Sequence, residues 1–272
     1  MRPRANWLAG VFAGAWLLII LVPVLVMLHA AFASKKAWAA SGPLGLPTDF
    51  TFDNFVASFQ GGFGLFLLNS GIVTVGTVVF IALLVPPLAF AIVRSRSRWI
   101  RIAFQIMLVG LAVPAQVVVI PLNFLITQVG LYDSLLGVIL PTAAFSIPIT
   151  TLILTGSMRE IGSDMYEAMA LDGAGSIRTF WRLVLPLSKG GIATIVVYSA
   201  LQAWNSYLIP LTLTRSADVR VATLGLGIFH QEYSLNVPGL MSAIVLTIVP
   251  ILAIYIFARR ALIRGLMGVG GK

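Results

Sequence analysis

The 272-residue chain contains no cysteine. That excludes a disulfide framework, a cysteine-ligated metal and a thiol nucleophile. The chain is also poor in charge. Only 10% of its residues are Asp, Glu, Lys or Arg, while 59% are hydrophobic. Soluble domains usually carry about 25% charged residues, so neither an ordinary soluble domain nor a disordered chain fits. Acidic residues are the scarcest charged type, 9 against 18 basic ones, for a formal net charge of +9. An excess of that size can mark a nucleic-acid partner. Here the basic residues occupy short gaps between long apolar runs and form no basic face, which is the pattern of a membrane protein with positive loops.

Other absences narrow the chemistry. No P-loop is present: before Gly271 and Lys272, Leu266 stands where the first glycine belongs. No G-x-S-x-G elbow occurs. The two histidines, His29 and His230, lie far apart and make no metal set. His29 is read as an interfacial ring near the outer end of the first apolar run. No Asp, Glu, Lys or Arg lies inside an apolar run, whereas proton- and ion-coupled carriers keep such residues at mid-membrane. Nucleotide hydrolysis and an internal proton path are therefore both missing, and energy for active transport has to come from elsewhere.

What the chain does have is apolar sequence for repeated crossings. A crossing helix needs about 20 mostly apolar residues. Six stretches qualify, at about 7–33, 65–93, 102–129, 134–157, 190–213 and 239–258. Arg94, Arg96, Arg98 and Arg101 force one break, because each would cost about 2.5–3.5 kcal/mol at a helix centre. The weakest break is Gly130-Leu131-Tyr132-Asp133, read as a tight helical-hairpin turn rather than the middle of one long buried segment. Ala31-Phe32-Ala33 resembles a signal-peptidase site, but the preceding run is longer than a signal h-region, so the first span is read as uncleaved.

With the N-terminus inside, the inner segments 1–4, 94–101, 158–189 and 259–272 hold fourteen of the 18 Lys and Arg. Lys35, Lys36, Arg215 and Arg220 lie outside. Both termini are thus expected in the cytoplasm. No internal repeat or second soluble domain is visible. The expectation is one all-α integral membrane domain, residues 1–272, with six transmembrane helices.

The inner loop 158–189 is the longest on its side and has mixed charge. It reads as two short helices around a glycine break. Ser163 and Asp164 start the first, with Met165, Ala168 and Met169 on one face. Gly173 and Gly175 end it in the left-handed conformation. Ser176 caps the second, whose stripe is Ile177, Phe180, Trp181 and Val184, and Pro186 stops it. A lipid-surface helix could account for 176–185. It accounts poorly for 163–175, because an acidic, small-residue face is repelled by anionic lipid and suits a protein cleft.

Glu167-Ala168-Met169-Ala170-Leu171-Asp172-Gly173-Ala174, followed by Phe180 and Leu185-Pro186-Leu187, resembles the EAA loop of ABC-transporter permeases. Met169 replaces the second alanine of that motif. Asn69-Ser70, the run from Trp204 to Leu211 and the tail Arg260–Leu266 are similar to signatures of the carbohydrate-uptake, maltose-type branch. The resemblance implies a six-span type I importer permease for a sugar or oligosaccharide, in a bacterial or archaeal plasma membrane. It implies a second related permease, two ATP-binding cassette subunits that bind the ATP and Mg, and an extracytoplasmic solute-binding protein. This chain would hold no cofactor and catalyse nothing. Glu167, Ala168, Met169, Asp172, Gly173 and Ala174 would couple it to the ATPase. The alternative is a self-contained secondary carrier or a channel.

Gln116, Asn123 and Gln128 in the third span, with Gln202, Trp204, Asn205 and Tyr207 in the fifth, are the candidate substrate-path residues. A buried amide costs free energy unless paired, so these are expected to face the bundle interior. Interhelical hydrogen bonding is the competing role. Pro114 and Pro121 make the third span a candidate lining helix. Gly10 and Gly14 form a weak packing motif, and Gly61, Gly62 and Gly64 a turn before the second span.

Overall fold

The computed structural model describes residues 7–45, 49–231 and 234–267, without the side chains of 230, 231, 234, 235 and 257–267. Arg2, Arg4 and the Gly270–Lys272 run lie outside the described residues. So do the side chains of His230 and of the Arg260–Leu266 signature. The architecture is all-helical, and the one extended pairing described is two residues long, β1 (His230–Gln231) against β2 (Ser234–Leu235). The helices are α1 (Trp7–Phe32), α2 (Lys35–Ser41), α3 (Asp53–Gln60), α4 (Phe63–Arg94), α5 (Arg98–Val109), α6 (Ala115–Gln128), α7 (Leu135–Arg159), α8 (Ser163–Leu171), α9 (Ser176–Thr179), α10 (Leu185–Leu187), α11 (Lys189–Trp204), α12 (Leu208–Leu213), α13 (Ala222–Gly225) and α14 (Val237–Met267).

Among the described residues four helices are long and apolar enough to cross a membrane: α1, α4, α7 and Val237–Ile256 of α14. Two further pairs reach that length only if each bent pair counts as one span. The first is Arg98–Ala112 with Ala115–Gln128, bent by 108°. The second is Ser176–Leu187 with Lys189–Trp204, bent by 75°. The expected third span is therefore not a straight helix. Val113 adopts an extended conformation ahead of Pro114, as residues before proline tend to, and Pro114 starts α6. The expected fifth span ends at Trp204 and resumes after a break at 205–207 as α12.

The chain forms two compact units, Met1–Gly64 with Gly225–Val249, and Leu65–Leu224 with Pro250–Lys272. In the first, Asn54 donates to the carbonyls of Ala31 and Ala33, at 3.0 and 2.8 Å. These are among the carbonyls that the end of α1 leaves without helical partners. Phe32 stacks on Phe50 at 4.7 Å and packs against Phe52 and Phe55. Ser58 and Ser242 share a hydrogen bond of 3.1 Å. His29 meets the Trp38 ring edge-on.

The second unit is organised around α7. Half of its most apolar window is buried, against 28% for α4. Ile81, Val85 and Ala89 of α4 meet Leu154 and Met158 of α7, Val184, and Ile195 of α11 in one core. Val73, Ile126, Val138, Ile139, Ile209, Leu213 and Val221 form a second. Polar residues are tolerated in α7 because Thr142, Ser146 and Thr150 each donate to the carbonyl four residues back. The turn between α6 and α7 is the expected hairpin: Gly130 and Asp133 take positive φ, 72° and 56°.

Helices α7 and α11 approach closely because Gly191 has no side chain. A Cβ there would lie 2.7 Å from Ser157 Cβ. Gly191→Ala is expected to lower stability by about 1–3 kcal/mol, the usual cost of overpacking. Ser157→Gly in the same chain should restore part of it. Thermal unfolding of the detergent-solubilised protein reads both.

Candidate functional site

The loop between α7 and α11 forms as two helices about a glycine break. The first, α8, begins at Ser163 with Asp164 in its first turn, where a carboxylate suits the helix dipole. It ends at Gly173, whose φ of 69° is cheap for glycine and strained for any other residue. Gly175 differs from the expectation: its φ is −70° and it stands at the N-cap of α9. Pro186 also differs, since the helix runs through it. Phe180–Val184 is a π-helical turn in which Leu185 N–H reaches back five residues to the Phe180 carbonyl. Proline has no N–H and clashes with the carbonyl four residues back, and the widened turn makes room for it. The chain bends at Ser188 instead.

The anchoring residue is not one that the helical pattern singled out. Met165 and Ala168 are exposed and Met169 half-buried, whereas Tyr166 is the buried residue of α8. Its ring enters the core of α4, α7 and α11 residues. The Arg94 guanidinium, at the end of α4, lies 4.3 Å from the ring centroid. At an exposed arginine that contact is worth about 0.5–1 kcal/mol. The Tyr166 hydroxyl is buried without a hydrogen-bond partner among the described residues. Burial pushes its pKa up, and the Arg94 charge opposes that. One signal in the sequence could have found it, since Tyr166 is the only aromatic residue of α8. The second stripe also divides: Val184 is buried and Phe180 lies 5.4 Å from Phe90, but Ile177 and Trp181 are exposed.

The opposite side of the loop is open. Glu167, Ala168, Asp172 and Gly173 are exposed and Ala174 half-buried. Beside them Leu171 is 90% and Ile177 78% exposed. The result is an exposed strip that mixes apolar side chains with two carboxylates.

The candidate path residues are more dispersed than expected. Trp204 is buried and Asn123 half-buried, and Asn123 donates to the Thr212 carbonyl. Gln116, Gln128, Gln202, Asn205 and Tyr207 are not buried within this chain, contrary to the expectation that they face its interior. Asn205 returns its amide to the Leu201 carbonyl at 2.8 Å. The structure thus brings together Asn123 and α12 but does not gather the seven into one pocket.

Outside the spans, a polar frame holds 212–222. Asn69 donates to the carbonyls of Asp218 and Arg220, at 2.8 and 2.9 Å, and Ser70 Oγ accepts from Ala222 N–H. Asp133 Oδ1 accepts from the N–H groups of Arg215 and Ser216, at 2.8 and 3.0 Å. These bonds, the Arg215 one foremost, hold the Asp133 carboxyl below the usual carboxylate range. Among the described residues no three His, Cys, Asp or Glu side chains group as a metal site.

An all-helical chain with several helices long and apolar enough to cross a membrane, and an exposed loop at 158–189, has the architecture of a membrane-embedded component. Residues 86–268 match the family described as binding-protein-dependent transport system inner membrane component, and the chain belongs to it. A putative ABC transporter permease of Caldicellulosiruptor sp. is 32% identical, covering 94% of each chain. The diacetylchitobiose uptake system permease of Streptomyces coelicolor is 33% identical, over 90% of this chain and 82% of its own. Among solved structures, a chain of a bacterial ABC transporter that imports the acidic polysaccharide alginate has the same fold. Its TM-score is 0.82 at 22% identity, over 96% of this chain and 98% of that one. The protein is a permease component of an ABC importer, multi-pass in the cell membrane. That assignment replaces the self-contained carrier or channel.

The geometry makes the anchor and the turn before α7 separately testable. Tyr166→Phe removes only a hydroxyl that has no partner among the described residues, so its thermal midpoint should equal or exceed that of the parent. Tyr166→Ala should cost about 3–5 kcal/mol, the usual penalty for emptying an aromatic site. Asp133 stabilises the turn before α7 while ionised. Because its folded pKa is depressed, that contribution is whole above the ordinary carboxylate pKa and is lost as pH falls through the folded value. Asp133→Asn should therefore flatten the acid limb of a thermal-midpoint-against-pH curve.

Proposed function

We propose that this chain is the six-span permease of a sugar or oligosaccharide importer, a single membrane domain with both termini in the cytoplasm. Loop 158–189 docks on a separate ATP-binding cassette subunit. The relatives named for diacetylchitobiose uptake and for alginate import support the substrate class. The observation that carries the docking role is the division of α8, with Tyr166 seated in the core and Glu167, Leu171 and Asp172 bare on the other side. A helix tied to the spans through one ring and otherwise free transmits a partner's movement inward.

In this reading two cassette subunits bind ATP and Mg, and this chain holds neither. Glu167 meets a basic group in the cassette cleft, flanked by Ala168, Met169, Asp172 and Ala174, and Gly173 sets the angle between α8 and α9. A second related permease pairs with this one, and an extracytoplasmic binding protein delivers the sugar. The outward-turned Gln116, Gln128, Gln202, Asn205 and Tyr207 then have a reason. Polar side chains turned toward hydrocarbon are costly, so they face the second permease or a water-filled path, where amides and an aromatic ring suit a sugar. Asn123 and Trp204 support that wall from behind.

Glu167→Ala and Gly173→Pro should each lower sugar uptake at least about ten-fold, roughly 1.4 kcal/mol of lost coupling, while the chain still inserts in the membrane. Proline cannot adopt the positive φ at 173. Uptake of a radiolabelled sugar, beside immunodetection of the inserted chain, makes the test. Full uptake in both variants overturns the docking role.

A further inference from the structure

Helix α5 begins within the arginine-rich segment 94–101 and runs at a steep angle to α6. Its residues divide into three faces. Ile100, Phe104, Met107 and Leu108 lie toward one side, and the helix packs against α7. Arg98, Arg101 and Gln105 form a polar stripe and are all exposed. Trp99, Ala103 and Ile106 follow at i, i+4 and i+7 on a third, exposed face, with Trp99 71% and Ile106 67% bare. Among the described residues Arg98 lies 5.6 Å from the Trp99 ring centroid, and neither Arg98 nor Arg101 forms an ion pair.

This pattern suits one environment. A helix within hydrocarbon carries no arginine stripe, and a buried protein interface is depleted of charge at its core. A helix lying in the headgroup region presents apolar side chains to the acyl chains and cations to the phosphates. Tryptophan favours that depth. The 108° bend supplies the direction: with α6 along the membrane normal, α5 lies close to the plane. The length also fits. At 1.5 Å per residue the 14 residues of α6 rise about 21 Å, and the extended residues 113–114 bring that near a core of about 30 Å.

We propose that α5 is an interfacial helix in the cytoplasmic leaflet and that Arg98 and Arg101, joined by Arg96, bind anionic phospholipid headgroups. The leaflet rests on the topology proposed above. Trp99 and Ile106 enter the acyl region and the arginines draw phosphatidylglycerol around the permease. Each basic residue near an anionic surface strengthens that enrichment by roughly five-fold.

The absence of cysteine lets single labels test this. The assembled importer carrying Ile106→Cys, labelled with an environment-sensitive fluorophore, is placed in nanodiscs with and without phosphatidylglycerol. Nitroxide lipids serve as quenchers. The expected result is strong quenching by headgroup-proximal nitroxides, with nitroxide phosphatidylglycerol exceeding nitroxide phosphatidylcholine by about five-fold or more. Arg98→Gln with Arg101→Gln should remove that preference, and Arg98→Lys with Arg101→Lys should keep it. A label that lipid nitroxides do not reach, or equal quenching by the two lipids, overturns the proposal. Ser97→Cys, tested with an impermeant maleimide on sealed right-side-out vesicles, separates the topology. Reaction from outside refutes the cytoplasmic placement while leaving the lipid contact to the nitroxide result.

Discussion

The close approach of α11 to α7 at Gly191 is the constraint on which the larger unit depends. It lets Ile195 reach Leu154 and Met158, and the same apolar cluster receives Val184 and the Tyr166 ring. The core is thus built from α4, α7 and α11 and closed by two residues of loop 158–189. Protein interiors are packed too densely to deform smoothly, so a displacement of α8 is passed on through side chains in contact. Loop 158–189 joins the core at one residue of α8, Tyr166, and the rest of that helix lies outside it.

Segment 212–222 is held differently. Between Thr212 and Ala222 the backbone is fixed by hydrogen bonds from Asn123, Asp133, Asn69 and Ser70, which come from two helices and a turn. Such bonds are directional, and leaving their buried groups unpaired is costly. Loop 158–189 is anchored by an apolar ring, which tolerates small rotations, and segment 212–222 by polar bonds, which do not.

Much of the fold was legible because membrane insertion makes charge and length decisive. The helices α1, α4, α7 and α14 lie where uninterrupted apolar runs place them, and the four-residue turn before α7 was readable from its Gly and Asp. The breaks were less legible. Pro114 and Pro121 both lie in the third run, but only the first bends it, since Pro121 is carried inside α6. A proline breaks a helix where neighbours can satisfy the freed carbonyls, and that depends on packing which one sequence does not display. Pro186 gave the opposite outcome, a π-helical turn instead of a stop. Tyr166 was missed because an apolar stripe at Met165, Ala168 and Met169 matched helical spacing equally well. Spacing gives the period of a helix, and the neighbours choose its buried face.

The outward-turned amides show the same limit from the other direction. Burial costs predicted that Gln116, Gln202 and Asn205 turn inward, and within this one chain they do not. A subunit whose polar side chains face outward from its spans is incomplete as a membrane solute. It lowers its free energy by pairing that face with another protein or with water. The same physics that excludes charge from every apolar run therefore argues that this chain works as part of a complex.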